Sequence, residues 1–193
     1  MDIQGWNDRY RSKEHQAEER EASPTPLLAQ TAKSLSPGRA LDLACGAGRN
    51  ALWLAANGWT VTAVDGSSTA IAMLRDQAAA RSLSITAQVA DLQAGDYHIA
   101  PSAWDLIVIA YYLQRDLFAA AKQGVAPRGI LLAIVHISEP GESPKETRLE
   151  RGQLAAYFQD WDILHYYEGK PNDSRHHRAV AEIVARPART NAP

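Results

Sequence analysis

Three carboxylates stand at the ends of successive apolar runs in the first half of this 193-residue chain, and a pair of glycines follows the first of them. The segment Leu41-Asp42-Leu43-Ala44-Cys45-Gly46-Ala47-Gly48-Arg49-Asn50 sets an acid just ahead of a glycine turn. Asp65 closes the run that starts at Thr60, and Asp91 the run that starts at Ile85. Glycine lets the backbone approach a ligand where a Cβ would clash, and the unpaired amides that open a helix can hold an anionic or polar group. An acid at the tip of the second run, one βαβ unit later, can accept two hydrogen bonds from ribose hydroxyls. The chemistry these spacings suit is the binding of a cofactor that carries an adenosine.

Gly46-Ala47-Gly48-Arg49-Asn50-Ala51 satisfies the loose G-x-G-x-x-G/A pattern, so a dinucleotide is allowed. Asp42 argues for a different ligand. A pyrophosphate gains nothing from a carboxylate facing it and loses by repulsion. S-adenosylmethionine carries an ammonium and a sulfonium, which a carboxylate at this strand end can help hold through water or the backbone while the turn amides take the methionine carboxylate.

Such residues need alternating strands and helices to position them. Asn50 to Ala56 is helical in pattern and stops at Asn57-Gly58, and Ser67 or Ser68 caps a helix over about Thr69 to Arg81, with Ile71, Leu74 and Ala78 on one face. Ile85 to Leu92 reads as the third strand. Trp104 to Ala110 and Gly129 to His136 read as the fourth and fifth, apolar enough for burial on both faces of a parallel sheet. After a short helix over Gln153 to Phe158, Trp161 to Glu168 and Ala179 to Ala185 alternate like a terminal antiparallel pair.

Leu41 to Gly48, followed by Asp65 and then Asp91, resembles the successive cofactor motifs of class I S-adenosylmethionine-dependent methyltransferases. The resemblance implies a Rossmann-like three-layer α/β/α sandwich with a seven-stranded, mostly parallel sheet of order 3-2-1-4-5-7-6 and an antiparallel C-terminal hairpin. It implies one domain over 1–193, with residues 1–34 as a helical lid and 35–193 as the catalytic core. The cofactor site is expected around Asp42, Ala44, Gly46, Gly48, Arg49, Asn50, Asp65, Gly66, Ser67, Asp91, Leu92, Ala110 and Tyr111, with Trp6, Tyr10 and Arg11 contributed by the lid. Asp91 would face the adenine amino group. S-adenosylmethionine is the expected cofactor and S-adenosylhomocysteine the product.

Composition narrows the partners. With 46% hydrophobic residues the chain can bury a full core, and a formal net charge of −2 supplies no general attraction to nucleic acid or anionic membranes. A small-molecule substrate is expected. Met1 to Glu21 is charged rather than apolar, and no later stretch stays apolar long enough to span a bilayer, so a soluble cytoplasmic protein, monomer or homodimer, is expected. The single cysteine, Cys45, has no internal disulfide partner and reads as a small packed residue of the turn.

Strand four runs into Tyr111-Tyr112-Leu113-Gln114-Arg115-Asp116, without the Asn-Pro-Pro-aromatic turn associated with methylation of exocyclic amines. Tyr111 can close over the methyl group or pack in the core; Arg115 can meet an anionic substrate or begin the next helix. Trp6-Asn7-Asp8-Arg9-Tyr10-Arg11 reads either as a cover that shuts the site against water or as a surface helix anchored by Trp6 and Tyr10. Pro24-Thr25-Pro26 then hinges it to a helix over about Leu27 to Ser34. In Ser174-Arg175-His176-His177-Arg178 the adjacent histidines point to opposite sides of a strand and make a poor chelating pair, so no metal is expected.

Together with the Trp6–Tyr10 cluster, Tyr157-Phe158-x-x-Trp161, Tyr167-Glu168-Gly169 and Ile183-Val184-Ala185-Arg186, that stretch resembles the tellurite-resistance-type methyltransferases over nearly the whole chain. The resemblance makes His177-Arg178 the pair that approaches the substrate, with His176 leaving the register open by one residue. His177 would then hydrogen-bond or deprotonate a chalcogen oxyanion, and Arg178 would neutralise it; otherwise both are solvated loop residues. Tellurite, selenite or a thiol are the acceptors implied. Three other readings stay open: a natural-product or quinone methyltransferase, an NAD(P)-dependent oxidoreductase, and a cofactor-binding protein without activity.

Overall fold

The computed structural model describes residues 2–139, 141–142 and 145–188. The chain forms two compact units, Met1–His98 and Ile99–Pro193. The seven strands take the order β3-β2-β1-β4-β5-β7-β6, with helices flanking.

The first unit opens with α1 (Ile3–Arg11), whose first turn is capped by the Asp2 carboxylate accepting from the Gly5 amide, and α2 (Lys13–Arg20), capped by Ser12 accepting from the His15 amide. The polar run after Ser12 is thus helical, which its sequence conceals: its hydrophobic face reduces to His15, whose ring packs 5.0 Å from that of Tyr10. α3 (Pro26–Ala32) starts on a proline, which fits the first turn because its missing N–H is not needed there. β1 (Arg39–Leu43), β2 (Thr60–Asp65) and β3 (Ile85–Val89) then pair in parallel, joined by α4 (Arg49–Ala56) and α5 (Ser68–Ala80). Leu41, Leu43, Ala63, Val64, Ile71 and Leu74 are fully buried between strands and helices. Each of the larger of these side chains contributes roughly 1.5–3 kcal/mol relative to exposure.

The second unit carries β4 (Trp104–Ala110), α6 (Leu117–Gly124), β5 (Val125–His136), α7 (Gln153–Ala156) and the antiparallel pair β6 (Trp161–Gly169) and β7 (Val180–Pro187). β4 and β5 are parallel, and Leu106 to Ile109 and Leu131 to Val135 are buried on both faces. β5 starts four residues earlier than its apolar run suggests. Pro127 and Gly129 hide the extension, and they sit beside a register shift between Trp104 and Leu106. A Cβ on Gly129 would come 2.6 Å from the Trp104 carbonyl oxygen, so only glycine fits this irregularity. β6 pairs on one side only and exposes Ile163, Leu164, Tyr166 and Tyr167, with a second register shift between Ile163 and His165. Among the described residues, no helix is long and apolar enough to cross a membrane.

Gly129→Ala pushes a methyl group into backbone, which cannot move aside as a side chain can. It is expected to destabilise the protein by about 1–3 kcal/mol in urea unfolding, whereas Gly95→Ala, where a Cβ meets open space but φ is +78°, tests the cost of left-handed backbone alone.

Candidate active site

In the first unit the chemistry gathers where β1 and β2 end. Ala44 follows β1 in a left-handed conformation (φ 54°), as do Gly46 (φ 56°) and Gly48 (φ 85°), so the chain reverses tightly before α4. A non-glycine residue held this way costs about 1–2 kcal/mol, and such strain clusters at functional sites. Asp65 spans the gap between this turn and the next. One carboxylate oxygen accepts from the Gly46 amide and the other from the Ser67 amide, each at 2.8 Å. Burial raises its pKa, while those two amides pull the other way by stabilising the carboxylate.

Asp42 lies deeper, within β1. Its side chain is 1% exposed, and its Oδ2 has no hydrogen-bond partner among the described residues. Burial pushes its pKa up to about 7, with Asp65 adding to the rise and the Ala51 amide and Arg49 opposing it. Desolvation, Asp42 and Asp65 likewise push the Cys45 thiol well above its ordinary range, as expected for a packed residue rather than a nucleophile.

α1 covers both loops with one face. Ile3 meets the position a Cβ on Gly66 would take, and a Cβ on Gly46 would collide with the Tyr10 hydroxyl. Between them Asn7, 8% exposed, accepts through Oδ1 from the Ser67 hydroxyl at 2.8 Å and the Thr69 amide at 3.1 Å. Ser67 in turn caps α5 by accepting from the Ala70 amide. The helix is therefore anchored by Asn7 and Tyr10, not by Trp6 and Tyr10. Trp6 is 39% exposed under the Arg9 guanidinium, and Arg11 faces solvent in an ion pair with Asp8. Arg49 donates to the Ser23 carbonyl, and Asn50 accepts from the buried Thr25 amide. Asp91 accepts from the Gln93 and Ala94 amides through Oδ1, with Leu92 buried beside it.

The second unit has its own constellation at the carboxyl ends of β4 and β5. Ala110 ends β4, and Tyr111 comes next with φ 61°. The Tyr111 hydroxyl donates to Asp173 at 3.1 Å and its ring stacks on that of His176, centroids 3.4 Å apart with nearly parallel planes. His136, the last residue of β5, lies 5.6 Å from Tyr111 and 5.5 Å from His176. A cavity of about 410 Å³ is lined by His136, Glu139, Arg175, His176, His177 and Arg178.

The imidazole that the fold brings to Tyr111 is thus His176, while His177 stands exposed on the rim. Arg178 lines the cavity with one arm donated to Glu142 at 2.7 Å; Glu142 also accepts from Arg148, and the Glu139 amide and these two arginines hold its pKa down at about 2. Arg115 lies elsewhere: its guanidinium donates to the carbonyls of Glu146 and Arg148, a structural tie that leaves the substrate-facing expectation without support. Asn7, His136 and Asp173 are members of these clusters that sequence reasoning misses, and His176 is the alternative its one-residue register leaves open; of the three missed, His136, at the end of a buried strand, carries a positional signal.

Known proteins are similar to this chain. The family model described as tellurite resistance protein TehB matches residues 10–182. The probable S-adenosyl-L-methionine-dependent methyltransferase TehB of Haemophilus influenzae is 28% identical over 151 residues, covering 73% of this chain and 52% of its own length. Hemagglutinin 1 of Eikenella corrodens is 30% identical over 151 residues, 73% of this chain and 49% of the relative. The chain thus spans about half the length of the curated relatives it matches. The crystal structure of TehB from Haemophilus influenzae superposes with a TM-score of 0.72 at 28% identity, covering 83% of this chain and 61% of that one.

Asn7→Ala removes the acceptor for both Ser67 and Thr69 and is expected to cost about 1–2 kcal/mol, read as faster amide exchange in α1 and the first turn of α5. For Asp42 the folded pKa, about 7, lies above the ordinary 3.8, so its contribution to stability is intact below about pH 4 and lost as pH rises to about 7. Asp42→Asn removes that loss. Its melting temperature should match wild type at pH 4 and exceed it at pH 8, by up to roughly 4 kcal/mol in stability; equal melting temperatures at both pH values would show that Asp42 does not change protonation across this range.

Proposed function

The chain belongs to the tellurite resistance protein TehB family, and from that premise we propose that it transfers a methyl group from S-adenosylmethionine to a small acceptor. The observation that carries the reading is the pair of carboxylates behind the glycine turn. Asp65 holds both loops yet keeps a second lone pair on each oxygen for ribose hydroxyls, and Asp42 keeps a buried oxygen that no protein group among the described residues satisfies. An unsatisfied acid beside this turn fits a ligand with a cationic methionine end and does not fit a pyrophosphate. Asp91 is suited to the adenine amino group through the oxygen that its turn leaves over, and Tyr10 stands over Gly46. When bound, S-adenosylmethionine supplies a methyl group on a sulfonium that departs readily, so the protein's task is alignment and exclusion of water, worth up to ~7–11 kcal/mol.

The acceptor we infer is an anionic or soft nucleophile: tellurite, selenite or a thiol. The cavity at the ends of β4 and β5 is lined by two arginines and three histidines against one glutamate, a balance that favours an oxyanion. In this reading Arg178 meets the anion with the arm that Glu142 does not hold, and His177 adds a hydrogen bond from the rim. Arg115 takes no part.

Calorimetry with S-adenosylhomocysteine and NAD(P) tests the cofactor, and product analysis with tellurite, selenite and a thiol tests the acceptor. Binding of S-adenosylhomocysteine alone, weakened roughly 10- to 100-fold by Asp65→Ala, is the expected result. Protection by NAD(P), or no binding of S-adenosylhomocysteine, would sink the reading.

A further inference from the structure

Arg178 lines the cavity at the ends of β4 and β5, but not with its whole fork. Its Nη1 donates to Glu142 Oε1 at 2.7 Å, and Arg148 Nη1 donates to Glu142 Oε2 at the same distance. The Glu139 amide adds a bond to Oε2 at 2.9 Å. The side chains around this carboxylate are not equally fixed. That of Arg148 is only 10% exposed and precedes Leu149, whose amide donates to the His136 carbonyl and whose carbonyl accepts from the Ser138 amide. Those of Glu142 and Arg178 are 30% and 39% exposed. A carboxylate thus stands between a fixed arginine and one that faces the cavity.

We propose that Glu142 sets which methyl acceptors the cavity takes: it occupies Arg178 as a resident anion, which an acceptor with two anionic oxygens displaces and a neutral thiol does not. This rests on the methyl-transfer reading above and narrows its acceptor to a chalcogen oxyanion. Glu142 is a specificity-determining residue that acts through Arg178.

Geometry decides the competition. Glu142 holds Arg178 through one oxygen, whereas a guanidinium presents parallel N–H groups that match two oxygens of one anion. An oxyanion that meets the free arm of Arg178 first gains a second bond when it takes the arm that Glu142 holds. Glu142 gives up its bond to Arg178 and keeps those to Arg148 and the Glu139 amide. The pair that breaks is partly exposed, where an ion pair is weak. The Glu139 amide, Arg178 and Arg148 hold the pKa of Glu142 down at about 2, so it stays a competing anion throughout the neutral range. A thiol brings no second oxygen and, below its pKa, no charge, and it leaves Glu142 in place.

The test titrates sodium selenite into the full chain, with and without S-adenosylhomocysteine, and follows the Arg178 guanidinium by nitrogen NMR. Selenite should shift that resonance in wild type, and 2-mercaptoethanol, titrated separately, should not. Glu142→Gln removes the charge, and Glu142→Asp keeps the charge but is one methylene too short to hold Arg178. Both should tighten selenite binding roughly 3- to 10-fold. Tightening in Glu142→Gln alone is the field of a nearby charge and overturns the inference; weaker binding in both variants makes Glu142 a prop for Arg178 and overturns it too. Selenite binding that fails to tighten in either variant, a wild-type resonance that selenite leaves unmoved, or one that the thiol shifts has the same force. Failure of S-adenosylhomocysteine to bind, with the selenite results as expected in its absence, strikes instead at the methyl-transfer reading.

Discussion

The carboxylate of Asp65 holds two loops with one side chain, and the rest of the first unit is arranged around that fact. Its oxygens draw the Gly46 and Ser67 amides to 2.8 Å, which fixes the distance between the ends of β1 and β2. Once Ser67 is placed, its hydroxyl caps α5 and also reaches Asn7, so α1 is positioned through a chain of hydrogen bonds that begins at the acid. Tyr10, one turn further along α1, then falls over Gly46 and returns to the loop from which the chain of contacts started. The ring of interactions is closed, and its members come from sequence positions about 60 apart. Loop closure over that distance is entropically costly, which is why it is made by buried, charge-assisted or multiply shared bonds rather than by surface pairs.

The second unit solves a similar problem by different means. Tyr111 leaves β4 in left-handed backbone, a conformation that disfavours a large side chain, and Asp173 and His176 hold it there from a segment far along the chain. The strain at Ala44 and at Tyr111 falls at equivalent places, directly after a buried parallel strand, where an α/β sheet presents its ligand-facing end. Both turns are rigid because several neighbours at once hold the residues that leave each strand.

Legible and hidden features of the sequence divide along a physical line. Strand and helix identity depend on local periodicity, so Leu41 to Leu43, Thr60 to Asp65, Trp104 to Ala110 and the terminal pair can be read to within a residue or two, and their order agrees with the family motifs at Asp42, Asp65 and Asp91. β5 reads short because Pro127 and Gly129 imitate a loop, and α2 is invisible because a helix that buries little more than His15 has no apolar stripe. Side-chain roles are legible only where the residue type is rare for its place. Asn7 looks like any polar residue of a surface helix until Ser67 is beside it, and the choice between His176 and His177 depends on the path of one loop. Asn50 and Arg115 draw attention by position, yet Asn50 accepts from the Thr25 main-chain amide and Arg115 donates to the main-chain carbonyls of Glu146 and Arg148.

The outermost strand, β6, sets Ile163, Leu164, Tyr166 and Tyr167 in water beside a backbone with one side unpaired. A straight row of free amides and carbonyls next to such side chains would template the addition of further strands. The register shift between Ile163 and His165 interrupts that row at its middle, so an incoming strand can match the spacing on one side of the break but not on both. A local irregularity that looks like a flaw in pairing with β7 therefore gives the chain a safeguard against open-ended polymerisation, at an edge strand where several greasy side chains and unmet hydrogen bonds coincide.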